Sequence, residues 1–102
     1  VTPEAKVKMK IKAIFKEEGV YYAMPIGTGY GNSGVPDFLC CVNGRFLGVE
    51  AKANGGVPTE LQKKNMKDIQ SSGGVAVVIN ENLSDLQYLR ELIKQLKGLK
   101  NG

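Results

Sequence analysis

Asp37, Glu50 and Lys52 are the residues whose types and spacing could do chemistry together. They flank Asn43-Gly44 in the stretch 35–52, VPDFLCCVNGRFLGVEAK. An Asn-Gly pair between two short apolar runs predicts a two-residue hairpin, because a type I′ turn needs positive φ at both central residues. Counting outward pairs Val42 with Arg45, Cys41 with Phe46, Cys40 with Leu47, Leu39 with Gly48 and Phe38 with Val49. Asp37 then faces Glu50, and Lys52, two residues further on, projects from the same side of the sheet as Glu50. Directly opposed residues have Cβ atoms roughly 4.5–5.5 Å apart, where like charges destabilise. Facing carboxylates therefore call for a neutralising partner. A hard divalent cation with oxygen ligands, Mg²⁺ or Mn²⁺, supplies one. Lys52 adds a compact positive charge whose donors suit a phosphate or an attacking water. The backbone carbonyl of Ala51 is a further candidate ligand. The plain alternative is a surface hairpin with solvated charges, and E-x-K alone is common by chance.

Composition narrows the chemistry. There is no His, which removes Ser-His-Asp and Cys-His catalysis, histidine general bases and histidine metal sites. The two cysteines, Cys40 and Cys41, are adjacent and point to opposite faces of a strand, so neither a disulfide nor a zinc knuckle is expected. Any hydrolysis must rest on carboxylates, Lys and a metal. The net charge of +4 suits a polyanionic partner. Twelve of the 14 cations are Lys, which favours phosphate attraction over bidentate base reading. At 102 residues the expectation is one domain, 1–102. No apolar run reaches a membrane-span length and no signal-peptide pattern is present, so the expected setting is cytoplasmic, without membrane contact.

The elements that must position these residues follow from periodicity. Residues 3–18 predict an amphipathic helix, with Thr2 as N-cap, Pro3 at the first helical position and Gly19 as the stop. Val7, Ile11, Ile14 and Phe15 form its apolar stripe, with Lys6, Lys10, Lys12 and Lys16 off it. Glu4 and Glu18 fall within the stripe, where a carboxylate is costly unless paired, although Glu4 also suits the positive end of the helix dipole. Residues 20–24 alternate and predict a short strand. The glycine-rich run 27–34 lacks the G-K-[ST] ending of a P-loop and reads as a loop, in which Tyr30 could stack on a base. Thr59-x-x-Gln62 is a capping box that opens a helix to about Gln70. Residues 75–79 form a continuous apolar run, as in a buried parallel strand. Ser84-x-x-Gln87 predicts the cap of a last helix, leucine-rich over 85–97.

Gly34-Val35-Pro36-Asp37, Glu50-Ala51-Lys52 and Thr59-Glu60-Leu61-Gln62, taken together, resemble the VRR-Nuc (virus-type replication-repair nuclease) family of the PD-(D/E)XK nuclease superfamily. The resemblance runs from the first helix to the strand at 75–79. It implies an α/β, restriction-endonuclease-like αβββαβα core with a mixed central sheet flanked by helices. It makes Asp37, Glu50, Lys52 and Gln62 the catalytic set, with Gln62 orienting Lys52 or water. It also puts an early helical acid in the metal site: Glu4 by its spacing ahead of Gly19, with Glu18 as the alternative. The implied activity is a Mg²⁺- or Mn²⁺-dependent, structure-specific DNA endonuclease. Family members of this size include ones that resolve four-way (Holliday) junctions as homodimers, so branched DNA and a second copy are the expected partners. The last helix or an exposed strand edge is the expected dimer contact. The rival reading is a non-catalytic DNA-binding module with a nuclease-like fold. Its signature would be a missing Asp, Glu or Lys, and none is missing here.

Overall fold

The computed structural model describes residues 1–26 and 34–100. The elements run α1 (Pro3–Glu18), β1 (Tyr21–Ala23), β2 (Phe38–Val42), β3 (Arg45–Ala51), α2 (Glu60–Ser71), β4 (Val75–Ile79) and α3 (Leu83–Gly98). This is the αβββαβα order. The four strands form one mixed sheet in the order β1-β2-β3-β4. The first two pairings are antiparallel and β3–β4 is parallel, because α2 is the crossover that a parallel pair requires. Tyr30 and the rest of the glycine-rich loop before Gly34 lie outside the described residues.

Local chemistry sets the boundaries of α1. The Thr2 hydroxyl accepts from the Ala5 N–H at 3.1 Å, and Pro3 supplies a φ already suited to the first turn. Gly19 ends the helix at φ 67°, and the Val20 N–H then bonds back to the Phe15 carbonyl at 2.9 Å. That closure uses Val20, so β1 begins at Tyr21 rather than at Val20, and it ends at Ala23, one residue short of the expected strand. The central turn has φ 53° at Asn43 and 76° at Gly44, as a type I′ turn requires. The β2–β3 register is the one counted out from that turn, from Val42↔Arg45 to Phe38↔Val49.

Period-two alternation divides the sheet into two faces. Phe38, Cys40, Val42, Leu47, Val49, Ala51 and Ile79 pack in one core with Val7, Ile11, Ile14 and Phe15 of α1 and Leu86, Leu89, Ile93 and Leu96 of α3. Phe15, Tyr22 and Phe38 stack there with ring centroids 5.0–5.6 Å apart. A fully buried Phe or Leu of this kind contributes roughly 1.5–3 kcal/mol relative to exposure. Leu86, Leu89 and Leu96 of α3 are thus committed to the chain's own core, while Leu83 at its start is exposed. The cap of α3 also differs from expectation. Asn82, not Ser84, is the N-cap: its Oδ1 accepts from the Asp85 N–H at 2.7 Å, while Ser84 donates its hydroxyl to the same oxygen. Asn caps as well as Ser does, and Asp85 holds the turn from the other side by accepting from the Asn80 N–H at 2.8 Å.

The opposite face carries Gly48 and Glu50 on β3. Here α2 lies against the sheet through Ile69, whose Cδ1 would sit 3.1 Å from a Cβ at Gly48. Beyond the hairpin tip, the Asn43 side-chain amide donates to the Leu96 carbonyl at 3.0 Å and to the Leu99 carbonyl at 2.7 Å. The turn therefore also ties down the carbonyls at the end of α3.

Candidate active site

Gly34-Val35-Pro36 delivers Asp37 to the sheet by close packing. At Gly34, φ is 93° and a Cβ would lie 2.7 Å from the Leu61 backbone carbon, so only glycine fits against the first turn of α2. Pro36 is buried, and its ring occupies the space that a side chain at Gly48 would take, at 3.1 Å. Asp37 follows at the entrance to β2. Its Oδ2 accepts from the Ala51 N–H at 2.8 Å, which holds the carboxylate across from the end of β3.

Glu50 is the one charged or polar residue that is buried among the described residues, at 3% exposure. Its Oε2 accepts from the Gln62 side-chain amide at 3.0 Å and lies 3.6 Å from the Lys52 ammonium. Its Oε1 is buried and has no hydrogen-bond partner. A buried carboxylate oxygen without a donor is costly. Burial, and after it the negative charge of Asp37, push the Glu50 carboxyl up to about 7, with Lys52 pulling the other way. Gln62 fills two posts at once. Its Oε1 accepts from the Thr59 N–H at 2.9 Å while the Gln62 N–H bonds to the Thr59 hydroxyl at 3.2 Å, completing the capping box. Its Nε2 is then left free to face Glu50.

Glu4, in the first turn of α1, completes the cluster. One carboxylate oxygen each from Glu4, Asp37 and Glu50 lies within 4.8 Å of the others. Glu18 is at the far end of α1, where its side chain pairs with Lys97 at 3.7 Å and its backbone carbonyl accepts from the same ammonium. Lys52, at 14% exposure, sits on the Glu50 side as the strand alternation requires. Sequence reasoning missed Lys8. Its ammonium lies 3.4 Å from Asp37 Oδ1 and 3.9 Å from Glu4 Oε1. The available signal was Glu4-x-x-x-Lys8, a spacing that puts both on one helix face.

The donor set fits a hard cation: three carboxylates bring oxygens within reach of one centre, and one of them, Glu50, has a buried oxygen without a donor. Two carboxylates and a lysine thus meet at the open end of the β2–β3 hairpin, away from its turn, on an αβββαβα fold. The comparisons bear on that fold. No family model matches the sequence, and no curated protein does. Among solved structures, the chain is similar to a "VRR_NUC domain protein", with a TM-score of 0.66 over 93% of this chain and 90% of that one, at 16% identity. It is also similar to Archaeoglobus fulgidus Hjc, a Holliday junction resolvase from an archaeal hyperthermophile. That match has a TM-score of 0.51 over 72% of this chain and 65% of that one, at 15% identity. The fold implied by the sequence resemblance is therefore the fold the chain has.

Proposed function

We propose that this chain is a metal-dependent DNA endonuclease that hydrolyses phosphodiester bonds in branched DNA, with the four-way junction as its substrate class. One observation carries the reading: Glu4, Asp37 and Glu50 each bring a carboxylate oxygen within 4.8 Å of the others, Glu50 has a buried oxygen with no donor, and Lys52 stands 3.6 Å from Glu50. Glu4, Asp37 and Glu50, with the Ala51 carbonyl, would hold Mg²⁺ or Mn²⁺. Such an ion, when bound, makes water acidic enough to serve as a nucleophile and offsets charge on the phosphate. The chain's own residues do the rest. Lys52 donates to the attacking water or to a phosphate oxygen, and its fixed charge favours the extra negative charge of the transition state. Gln62 holds Glu50 Oε2 and so fixes the orientation of the carboxylate. The Ala51 N–H does the same for Asp37.

The likeness in fold to a junction resolvase supports the choice of substrate. Twelve lysines and a net charge of +4 support a phosphate-rich partner. Cutting two strands symmetrically calls for two copies about a two-fold axis, and the edge strand β1 is the contact proposed for that dimer. Among the described residues no helix is long and apolar enough to cross a membrane.

The test is cleavage of linear, flap and four-way-junction DNA with Mg²⁺, with Mn²⁺ and with excess chelator. Metal-dependent cutting that favours the junction is expected. Unchanged cutting in chelator, or no cutting of any substrate, overturns the reading. Light scattering across a dilution series, with and without junction DNA, tests the dimer. A monomer throughout rejects it.

A further inference from the structure

Lys8 has no place in the chemistry above, yet its ammonium stands among the carboxylates that would hold the metal. It approaches Asp37 Oδ1 at 3.4 Å and Glu4 Oε1 at 3.9 Å. An ordinary helix-surface pair would involve Glu4 alone, one turn away. Here the shorter contact is to Asp37, which belongs to another element, and Lys8 is only 31% exposed. Two ammonium groups thus divide the cluster. Lys52 stands at Glu50, and Lys8 stands at Asp37 and Glu4.

We propose that Lys8 is a built-in counter-cation: it holds Asp37 and Glu4 together when no divalent ion is bound, and leaves when one binds. This rests on the metal-binding reading of the same cluster. A divalent ion taking the Asp37 and Glu4 oxygens would stand within a few ångströms of the Lys8 ammonium, and the two cations repel. Lys8 is the one that can move. Its charge rides on a flexible four-carbon stem at the protein surface, while Lys52 is more enclosed, at 14% exposure. Two consequences follow. Metal affinity in the free chain is held down by the competition. The expelled ammonium then becomes available to a phosphate, so that metal and DNA binding reinforce each other, as linkage requires.

The test is a titration of the full chain with Mn²⁺ alone, following free Mn²⁺ by electron paramagnetic resonance, on the wild type, Lys8→Met and Lys8→Arg. Lys8→Met should bind Mn²⁺ roughly tenfold more tightly, the scale of one partly buried ion pair opposed to a doubly charged ion. Lys8→Arg keeps the charge and should stay within about threefold of the wild type. Melting curves in chelator should show Lys8→Met less stable than the wild type, with Mn²⁺ restoring it. If Lys8→Met does not fold, Lys8→Gln takes its place. Wild-type binding with unchanged or weaker affinity in the neutral variant overturns the role of Lys8 alone. A wild type that binds no Mn²⁺ overturns the metal reading, and this inference with it.

Discussion

Replacing Glu50 with Gln should make the metal-free protein more stable at alkaline pH, although it deletes the most enclosed charge in the site. The substitution keeps the side chain's size and an acceptor for the Gln62 amide. It removes a carboxylate that is 3% exposed and whose Oε1 has no donor. The sign follows from the raised carboxyl. The Glu50 carboxyl is pushed up to about 7 in the folded chain, against 4.5 for an unperturbed glutamate. Between those values the folded state keeps a proton that the unfolded state has lost. Stability is therefore fully present below the lower value, falls as pH rises, and levels off above the higher one. At about 1.36 kcal/mol per unit, the wild type should give up about 3 kcal/mol across that window, and Glu50→Gln should not.

Urea unfolding of both proteins in excess chelator measures this. The quantity of interest is the difference in stability between variant and wild type, because the other titrating groups are common to both. That difference should widen by about 3 kcal/mol in favour of the variant between about pH 4.5 and pH 8. Saturating Mn²⁺ should then stabilise the wild type at pH 8 and leave the variant nearly unmoved. A difference that stays flat with pH refutes the claim that burial and Asp37 hold this carboxyl partly protonated.

Three further predictions concern the frame and the cation of the site. Lys52→Ala should abolish cutting while leaving DNA binding and the fold largely intact, to be read from cleavage, binding and melting assays on one preparation. Cutting at the wild-type rate would place the catalytic cation elsewhere. Gly44→Val forces a β-branched residue to φ 76° with open space around its Cβ, so a backbone cost on the order of 1–3 kcal/mol is expected. Weaker Mn²⁺ binding should follow by calorimetry, and a variant that binds metal and melts like the wild type shows that the turn does not set the register. Gly34→Ala adds a Cβ 2.7 Å from the Leu61 backbone at φ 93°, which should cost about 2 kcal/mol or more and slow cleavage by shifting Gln62 from Glu50. Unchanged urea midpoints would show that α2 yields without cost.

The hairpin was legible in the sequence because its determinants are local. Two residues that tolerate positive φ fixed the turn, the turn fixed the register, and period two put Glu50 and Lys52 on one face. The cap of α2 was legible for the same reason. The second half of Gln62's role was not, because its contact with Glu50 depends on how α2 lies across the sheet. The cap of α3 was misplaced because Asn82 and Ser84 are equally suited by type, and Asp85 decides between them through Asn80. Lys8 escaped notice because a lysine beside an apolar stripe looks like any solvated one until Asp37 arrives from β2. The glycines at 34 and 48 were readable as turn or strand residues, but the bodies they make room for, the Leu61 backbone and Pro36, come from tertiary packing.

The carboxylates of the cluster come from three elements: the first turn of α1, the entrance to β2 and the end of β3. Asp37 and Glu50 share the β2–β3 hairpin, but Glu4 joins them only when α1 docks, so a nascent or partly unfolded chain has no complete cluster to offer. Cutting power would then appear only with the finished sheet and be lost when α1 lifts away, before the β2–β3 hairpin itself comes apart. Under the proposed function, such an arrangement is a fail-safe: damage to the fold disarms the site before it can loosen its selectivity. It also makes metal uptake a gauge of the docking of α1, usable where no substrate is at hand.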